Sequence, residues 1–311
     1  NAKKMKVLIT GGAGFIGRSL ANFLFRKGYE VHVLDNLSTG SVKNLDSRIH
    51  FYDMDVNDDY FLRELFFENN FDYVFHYAAV VGVQRTLKNP TLVLNDIKGI
   101  ENIVDLSILT NVKRVFFSSS SEVYGESIYY PQDEISTPLN SRLPYAIVKN
   151  YGEAFIKYNC VESNTDFTVL RFFNTYGANQ SDDFVIGTFI TKALKNEDIC
   201  IYGDGNQSRT FLYIDDNIKF TYVILEQDSC KNMTVNVGSD VETSINKLAY
   251  LIVSLSNSRS NIDHIDELEE GDMARRLPDT TLMKKYYGQN FTTLEEGISK
   301  IIEQKTKNTN H

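Results

Sequence analysis

Tyr145 and Lys149 are the only tyrosine and following lysine four residues apart in a chain that holds 18 tyrosines. On a helix, positions i and i+4 share a face, so this pair would set an ammonium beside a phenol. The ammonium favours phenolate over phenol, whose pKa is about 10 in isolation. A phenolate available near neutral pH can take the proton of an alcohol. An exposed helix pair with no chemistry is the alternative. Far upstream lies Thr10-Gly-Gly-Ala-Gly-Phe-Ile-Gly17. Gly12, Gly14 and Gly17 fit G-x-G-x-x-G, and Gly11, Gly14 and Gly17 fit G-x-x-G-x-x-G equally well. Such glycines permit a tight turn and let the backbone approach a pyrophosphate at a helix N-terminus. Asp35 closes the next strand-like run. A carboxylate there accepts both adenosine ribose hydroxyls and repels a 2′-phosphate, and no arginine stands at 36–40 to receive one. NAD is therefore expected over NADP. Asp55 and Val56 either bracket the adenine or belong to a simple Asp-x-Asp turn.

The elements that must position these residues follow from the hydrophobic pattern. Apolar runs alternate with amphipathic stretches, as in a parallel α/β sheet. Strands are predicted at 6–9, 30–34, 50–52, 73–76, 114–118 and 167–170. Helices are predicted at 15–27, capped by Gly28, at 93–109 and at 145–160. Beyond about Arg171 the alternation is less regular, with helices at 184–195 and 216–226 and short strands at 199–202 and 211–214. The polar tail after Gln304 reads as frayed. The expected fold class is α/β, a Rossmann-type doubly wound parallel sheet with a smaller C-terminal α/β substrate-binding domain. The domains are placed at 1–172 and 173–311, with segments interleaved.

Composition narrows the function. A formal charge of −9 with no basic tract excludes a general nucleic-acid binder. Three cysteines, odd in number and far apart, do not make a disulfide framework and fit a reducing cytoplasm. The five histidines show no metal spacing, so no metal is expected. No apolar run approaches the roughly 20 residues of a membrane span. No leader pattern precedes the first strand run, which adds to the expectation of a cytoplasmic protein.

Several stretches together carry a family resemblance: TGGAGFIG (10–17), DNLSTG (35–40), HYAA (76–79), SSSSEVYG (118–125), YAIVK (145–149), RFFNTYG (171–177) and YGDGNQSRTFLYIDD (202–216). From about 6 to about 288 the chain resembles an extended short-chain dehydrogenase/reductase. More narrowly, it resembles the NAD-dependent sugar-nucleotide epimerase/dehydratase family. The cofactor set this implies is Gly11, Gly14, Phe15, Ile16, Gly17, Asp35, Asn36, Ser38, Thr39, Gly40, Asp55, Val56, Tyr77, Ala78, Ala79, Asn95, Ser118, Tyr145 and Lys149. Tyr145 would be the base, Lys149 would hold the nicotinamide ribose, and Ser120 would bond the sugar's 4-hydroxyl, with Ser119 and Ser121 as neighbouring registers. Asn174, Arg209, Asp272 and Arg276, or its neighbour Arg275, resemble contacts to a nucleoside-diphosphate sugar. A homodimer through the helices at 93–109 and 145–160 is also implied.

The resemblance leaves the reaction's second half open. After oxidation at carbon 4, the expectation is a 4-epimerase. The alternatives are a 4,6-dehydratase or decarboxylase and a net 4-dehydrogenase. Glu122 bears on this, because Ser-Ser-Glu at 120–122 is similar to the dehydratase and decarboxylase pattern, whereas Leu-Pro-Tyr-Ala around Tyr145 is more epimerase-like. A non-catalytic NAD-binding scaffold on the same fold is the reading from a different class.

Overall fold

The computed structural model describes residues 4–81, 83–266 and 275–309. Its central sheet is built from β1 (Lys6–Thr10), β2 (Glu30–Asp35), β3 (His50–Asp53), β4 (Tyr73–His76), β5 (Arg114–Ser120) and β6 (Asp166–Phe172). A seventh strand, Met233–Val237, lies beyond β6, giving the order Met233–Val237, β6, β5, β4, β1, β2, β3. The pairs β1–β2, β2–β3, β1–β4 and β4–β5 are parallel. Parallel strands covered on both faces read as unbroken apolar runs. Val7, Leu8 and Ile9 of β1 are accordingly all fully buried. Strand order reverses between β1 and β4, and in such sheets the crevice beyond the strands' carboxyl ends is the ligand site.

The crossover helices are α1 (Phe15–Arg26), α2 (Asp59–Asn69), α3 (Val83–Lys88), α4 (Pro90–Leu109) and α5 (Pro144–Val161). α4 and α5 each begin with proline at the first helical position, where the missing N–H costs nothing. The hydrophobic pattern alone puts the start of α4 at 93, and the proline moves it to 90. One face of the sheet buries Leu8, Leu62, Phe66, Val74 and Ile103 in a common cluster. A second cluster joins Ile100, Val104, Phe117, Val148 and Ile156. α5 approaches β5 so closely that a Cβ on Gly152 would stand 2.4 Å from Phe117. That contact fixes the height of Tyr145 and Lys149 above the strand.

The chain divides into two compact units that interleave in sequence. The first comprises Asn1–Gly125, Leu139–Arg171 and Phe220–Val235, and the second Glu126–Pro138, Phe172–Lys219 and Asn236–His311. The return of Met233–Val237 to the central sheet is absent from the sequence reading. The strand is short and flanked by polar residues, although Val235 and Val237 are fully buried. The second unit pairs short strands: Thr175–Tyr176 with Leu212–Tyr213, Ser208–Thr210 with Glu242–Ser244, and Ile199–Tyr202 with Ile262–Ile265. Its helices include Val185–Lys195, Ile245–Leu255 and Leu294–Thr309.

Candidate active site

The turn after β1 is shaped by steric necessity. Gly11 has φ +66, and a Cβ there would lie 2.6 Å from the Ala78 nitrogen. A Cβ on Gly17 would lie 2.4 Å from the Gly11 carbonyl oxygen. Gly14 is the N-cap of α1, and its N–H donates to the Gly11 carbonyl at 3.1 Å. The amides of Phe15, Ile16 and Gly17 lack intrahelical acceptors, as in any first turn. No acidic side chain stands in that turn to compete with an anion. Such a turn could hold a pyrophosphate.

Asp35, at the end of β2, accepts Ala13 N–H on Oδ2 at 3.0 Å and Leu37 N–H on Oδ1 at 2.9 Å. Each carboxylate oxygen keeps a lone pair for a hydroxyl. A Cβ on Gly40 would come within 2.9 Å of Asp35 Oδ1, so this glycine keeps the carboxylate uncovered. Asn36, Ser38 and Thr39 are exposed beside it. Asp55 accepts Asn36 Nδ2–H at 2.9 Å and Asn57 N–H at 2.8 Å, so it does close a turn while tying down the Asn36 loop. Val56 is buried. The glycine turn, Asp35, Gly40 and Ala78 thus form one rim with the right chemistry for a dinucleotide.

The Tyr77 ring meets Phe75 edge-on at 5.8 Å, and burial holds its phenol protonated. Only its backbone borders Gly11. Asn95 is on the exposed face of α4, and the next residue does the anchoring: Asp96 Oδ2 accepts Val80 N–H at 2.8 Å. Ala79 lies half-buried between these points.

The Tyr145 and Lys149 pair is on the first two turns of α5. Lys149 is 3% exposed, its Nζ lies 5.7 Å from the Tyr145 ring centre, and it donates to Ser118 Oγ at 3.4 Å. Ser118 in turn donates to the His76 carbonyl at 3.2 Å. Burial pulls the Lys149 ammonium down to about 8, partly opposed by the Asp96 carboxylate. Beneath it, Thr10 Oγ1 accepts Ala78 N–H at 3.2 Å and is 2.8 Å from His76 Nδ1. Either tautomer of a neutral His76 can share a hydrogen bond with that hydroxyl. Burial first, and the Lys149 charge second, keep the histidine neutral by lowering its pKa to about 3. Sequence reasoning did not single out Thr10, His76 or Asp96, although the first two stand inside its motifs.

The serine run separates cleanly. Ser118 faces His76, Ser119 donates to Glu153 at 2.5 Å, and Ser121 is 2% exposed. Ser120 alone is half-buried. It caps the 3-10 turn Ser121–Tyr124 by accepting Glu122 N–H at 3.2 Å, which leaves its O–H to donate elsewhere. Glu122 is half-buried on the same turn.

In the second unit, Asn174 is half-buried and its carbonyl accepts Leu212 N–H at 2.9 Å. Arg209 is buried and donates to the Ser208 carbonyl at 2.7 Å. Arg275 is committed: its Nε and Nη2 meet both Glu242 oxygens at 2.8 and 2.6 Å, and it stacks on Tyr130 at 4.7 Å. Arg276 beside it is buried. Asp272 lies outside the described residues.

Among the described residues, Glu30, His32 and His50 bring ligand-type atoms within 4.8 Å of one another. Lys6 already occupies the Glu30 oxygen at 3.2 Å. The two imidazoles stack at 4.5 Å and 21°, so their lone pairs run side by side and do not converge on one point.

The sequence pattern of the NAD dependent epimerase/dehydratase family matches residues 7–238. A putative UDP-glucose 4-epimerase of Methanocaldococcus jannaschii is 33% identical over 301 residues, covering 95% of this chain and 97% of that protein. A UDP-N-acetyl-alpha-D-glucosaminuronate decarboxylase of Bacillus cytotoxicus is 34% identical over 320 residues, covering 96% and 97%. The crystal structure of UDP-glucose 4-epimerase with UDP-glucose from Thermotoga maritima superposes with a TM-score of 0.93 at 30% identity, covering 98% of this chain and 100% of that one.

Proposed function

Because the chain belongs to the NAD dependent epimerase/dehydratase family and is an NAD-dependent enzyme of that type, we propose that it oxidises carbon 4 of a nucleoside-diphosphate sugar and acts as a 4-epimerase. NAD, when bound, supplies the acceptor and donor for the hydride. Gly11, Gly14, Phe15, Ile16 and Gly17 would hold its pyrophosphate and Asp35 its adenosine ribose.

The observation that carries the reading is the buried ammonium of Lys149, 5.7 Å from the Tyr145 ring centre. An ammonium beside the ring favours phenolate over phenol. Tyr145 takes the 4-hydroxyl proton, and Ser120, through its available O–H, holds the substrate oxygen in line. Asn174, Arg209, Arg276 and Asp272 are the proposed substrate contacts, the guanidinium groups suiting a diphosphate. The relatives named above act on UDP-sugars, which makes a UDP-sugar the first choice of substrate.

Glu122 favours a second reading. A carboxylate two residues after Ser120 is placed for proton chemistry next to a 4-ketone, as a decarboxylase or dehydratase needs, and a decarboxylase stands among the relatives. Release of the ketone itself would make the enzyme a net 4-dehydrogenase. Incubation with UDP-glucose, UDP-N-acetylglucosamine and UDP-glucuronate separates these outcomes by product mass. Unchanged mass together with a new stereoisomer at carbon 4 in the product NMR spectrum marks the epimerase, and loss of carbon dioxide, water or two hydrogens marks the others. Tyr145→Phe should abolish every product. Retained turnover in that variant would remove Tyr145 as the base.

A homodimer through α4 and α5 accounts for the exposed Leu92, Leu94, Ile147, Tyr158 and Val161 on those helices. A monomeric mass in solution scattering would exclude it. Among the described residues no helix is long and apolar enough to cross a membrane. A cytoplasmic location is proposed on the cysteines, which form no disulfide.

A further inference from the structure

Ser119 and Tyr124 bracket the turn that carries Ser120 and Glu122, and both are tied to one buried ion pair. Arg171 meets Glu153 edge-on, Nε to Oε1 at 2.8 Å and Nη2 to Oε2 at 2.7 Å, with both side chains 2% exposed. Arg171 Nη1 donates to the Tyr124 phenol at 2.9 Å. Ser119 Oγ donates to Glu153 Oε1 at 2.5 Å. Glu153 follows Lys149 by one helical turn and Tyr145 by two, in steps of four along one face of α5. A single carboxylate is thus built into the face that carries the base and its lysine, while its partner comes from β6. Gly125 closes the far end of the turn at φ +57, where a Cβ would lie 2.1 Å from the Asn140 carbonyl oxygen. The turn's far end is therefore packed directly against that carbonyl.

A buried ion pair is a poor way to gain stability, since desolvation offsets most of its attraction. What it provides is direction. Two parallel N–H···O bonds fix a guanidinium in one orientation, and here the third face of that guanidinium sets the phenol of Tyr124. We propose that Glu153 and Arg171 are positioning residues for the hydride step. They hold the register between α5 and the 119–124 turn, and so the placement of Ser120 against Tyr145. This rests on the reading above that Ser120 and Tyr145 flank the reacting hydroxyl.

Glu153→Gln leaves a buried guanidinium unpaired and endangers the fold. Tyr124→Phe and Ser119→Ala cut the ties and leave the ion pair intact. The experiment compares these two variants, alone and combined, with wild type on the UDP-sugar that wild type turns over. Bound NAD and KM should stay within about twofold, while kcat falls on the order of tenfold for each and about a hundredfold together, the scale of an ångström-level misplacement. Substrate-dependent absorbance at the NADH band in a single turnover should slow by the same factor. A double variant with wild-type kcat overturns the proposal. So does a loss that appears equally in bound NAD and KM, which marks general loosening. If Tyr145→Phe stays active, the assigned base fails. If Tyr145→Phe is dead and the double variant is fully active, only the positioning role fails.

Discussion

The Asp35 carboxylate accepts the Ala13 amide at 3.0 Å, so the group placed to receive a ribose also fastens the glycine turn to the end of β2. Asp35→Ala should therefore weaken NAD binding at least about tenfold, from the loss of charge-assisted hydrogen bonds worth roughly 1.5–3 kcal/mol each. Discrimination against NADP should shrink as well, because the charge that repels a 2′-phosphate is gone. The chain has no tryptophan, so NADH and NADPH fluorescence give clean titrations of the two effects.

Gly17→Ala tests the glycine turn. Its Cβ would meet the Gly11 carbonyl oxygen at 2.4 Å, with backbone on both sides of the clash. The variant should lose NAD binding despite a helix propensity gain of about 1 kcal/mol. Gly28→Asn is the control, since nothing lies within 4 Å of a Cβ there. It should bind NAD as wild type does.

Lys149 should reveal itself in stability as well as activity. Its folded pKa is about 8 against 10.5 for an unperturbed lysine. Below about pH 8 both states carry the charge, and the folded protein bears the full burial cost, on the order of 3 kcal/mol. Between the two values the unfolded chain holds a proton that the folded one has released, so stability rises with pH. Lys149→Met should melt several degrees above wild type at pH 7, with the gap closing by about pH 10.5, and be inactive throughout. Wild-type kcat/KM should fall above about pH 8 as the ammonium is lost.

Acid should act through two buried imidazoles. Burial lowers His32 to about 4 and His76 to about 3. An unfolded histidine takes its proton near 6.5, so below that pH the unfolded chain binds protons the folded chain refuses. Denaturant midpoints should drop steadily from about pH 6.5 toward 4, with close to two protons taken up on unfolding from these sites. His32→Phe should remove about one of them.

Ser120 joins structure and chemistry. Ser120→Ala should cost about 1 kcal/mol as a lost cap. It should also lower kcat by on the order of a hundredfold with little change in KM. Ser120→Thr should restore most of both, as melting curves and initial rates would show.

The glycine turn, Asp35, the first six strands and the helix face of Tyr145 and Lys149 were legible because each is written locally, in periodicity or in a short motif. Ser120 over Ser119 and Ser121 was less so. The difference lies in partners far along the chain, above all Glu153, which claims Ser119. Likewise Arg275 and Arg276 look equivalent until Glu242 takes the first. Asp96 was not legible for a related reason, since one step along a helix decides which side chain reaches the loop at Val80. In the second unit the runs at 199–202 and 211–214 were legible, whereas Thr175–Tyr176, Ser208–Thr210, Glu242–Ser244 and Ile262–Ile265, two to four residues each, fall below the length at which alternation is readable.

The strand Met233–Val237 has a consequence for synthesis. During translation β6 emerges well before its outer neighbour, and N-terminal segments fold first. Until the residues from Phe220 onward leave the ribosome, β6 is an open edge, a template for wrong pairing. A truncation before Phe220 would leave that edge bare, so the first unit, drawn from three stretches of the chain, cannot be cut out whole at a single site.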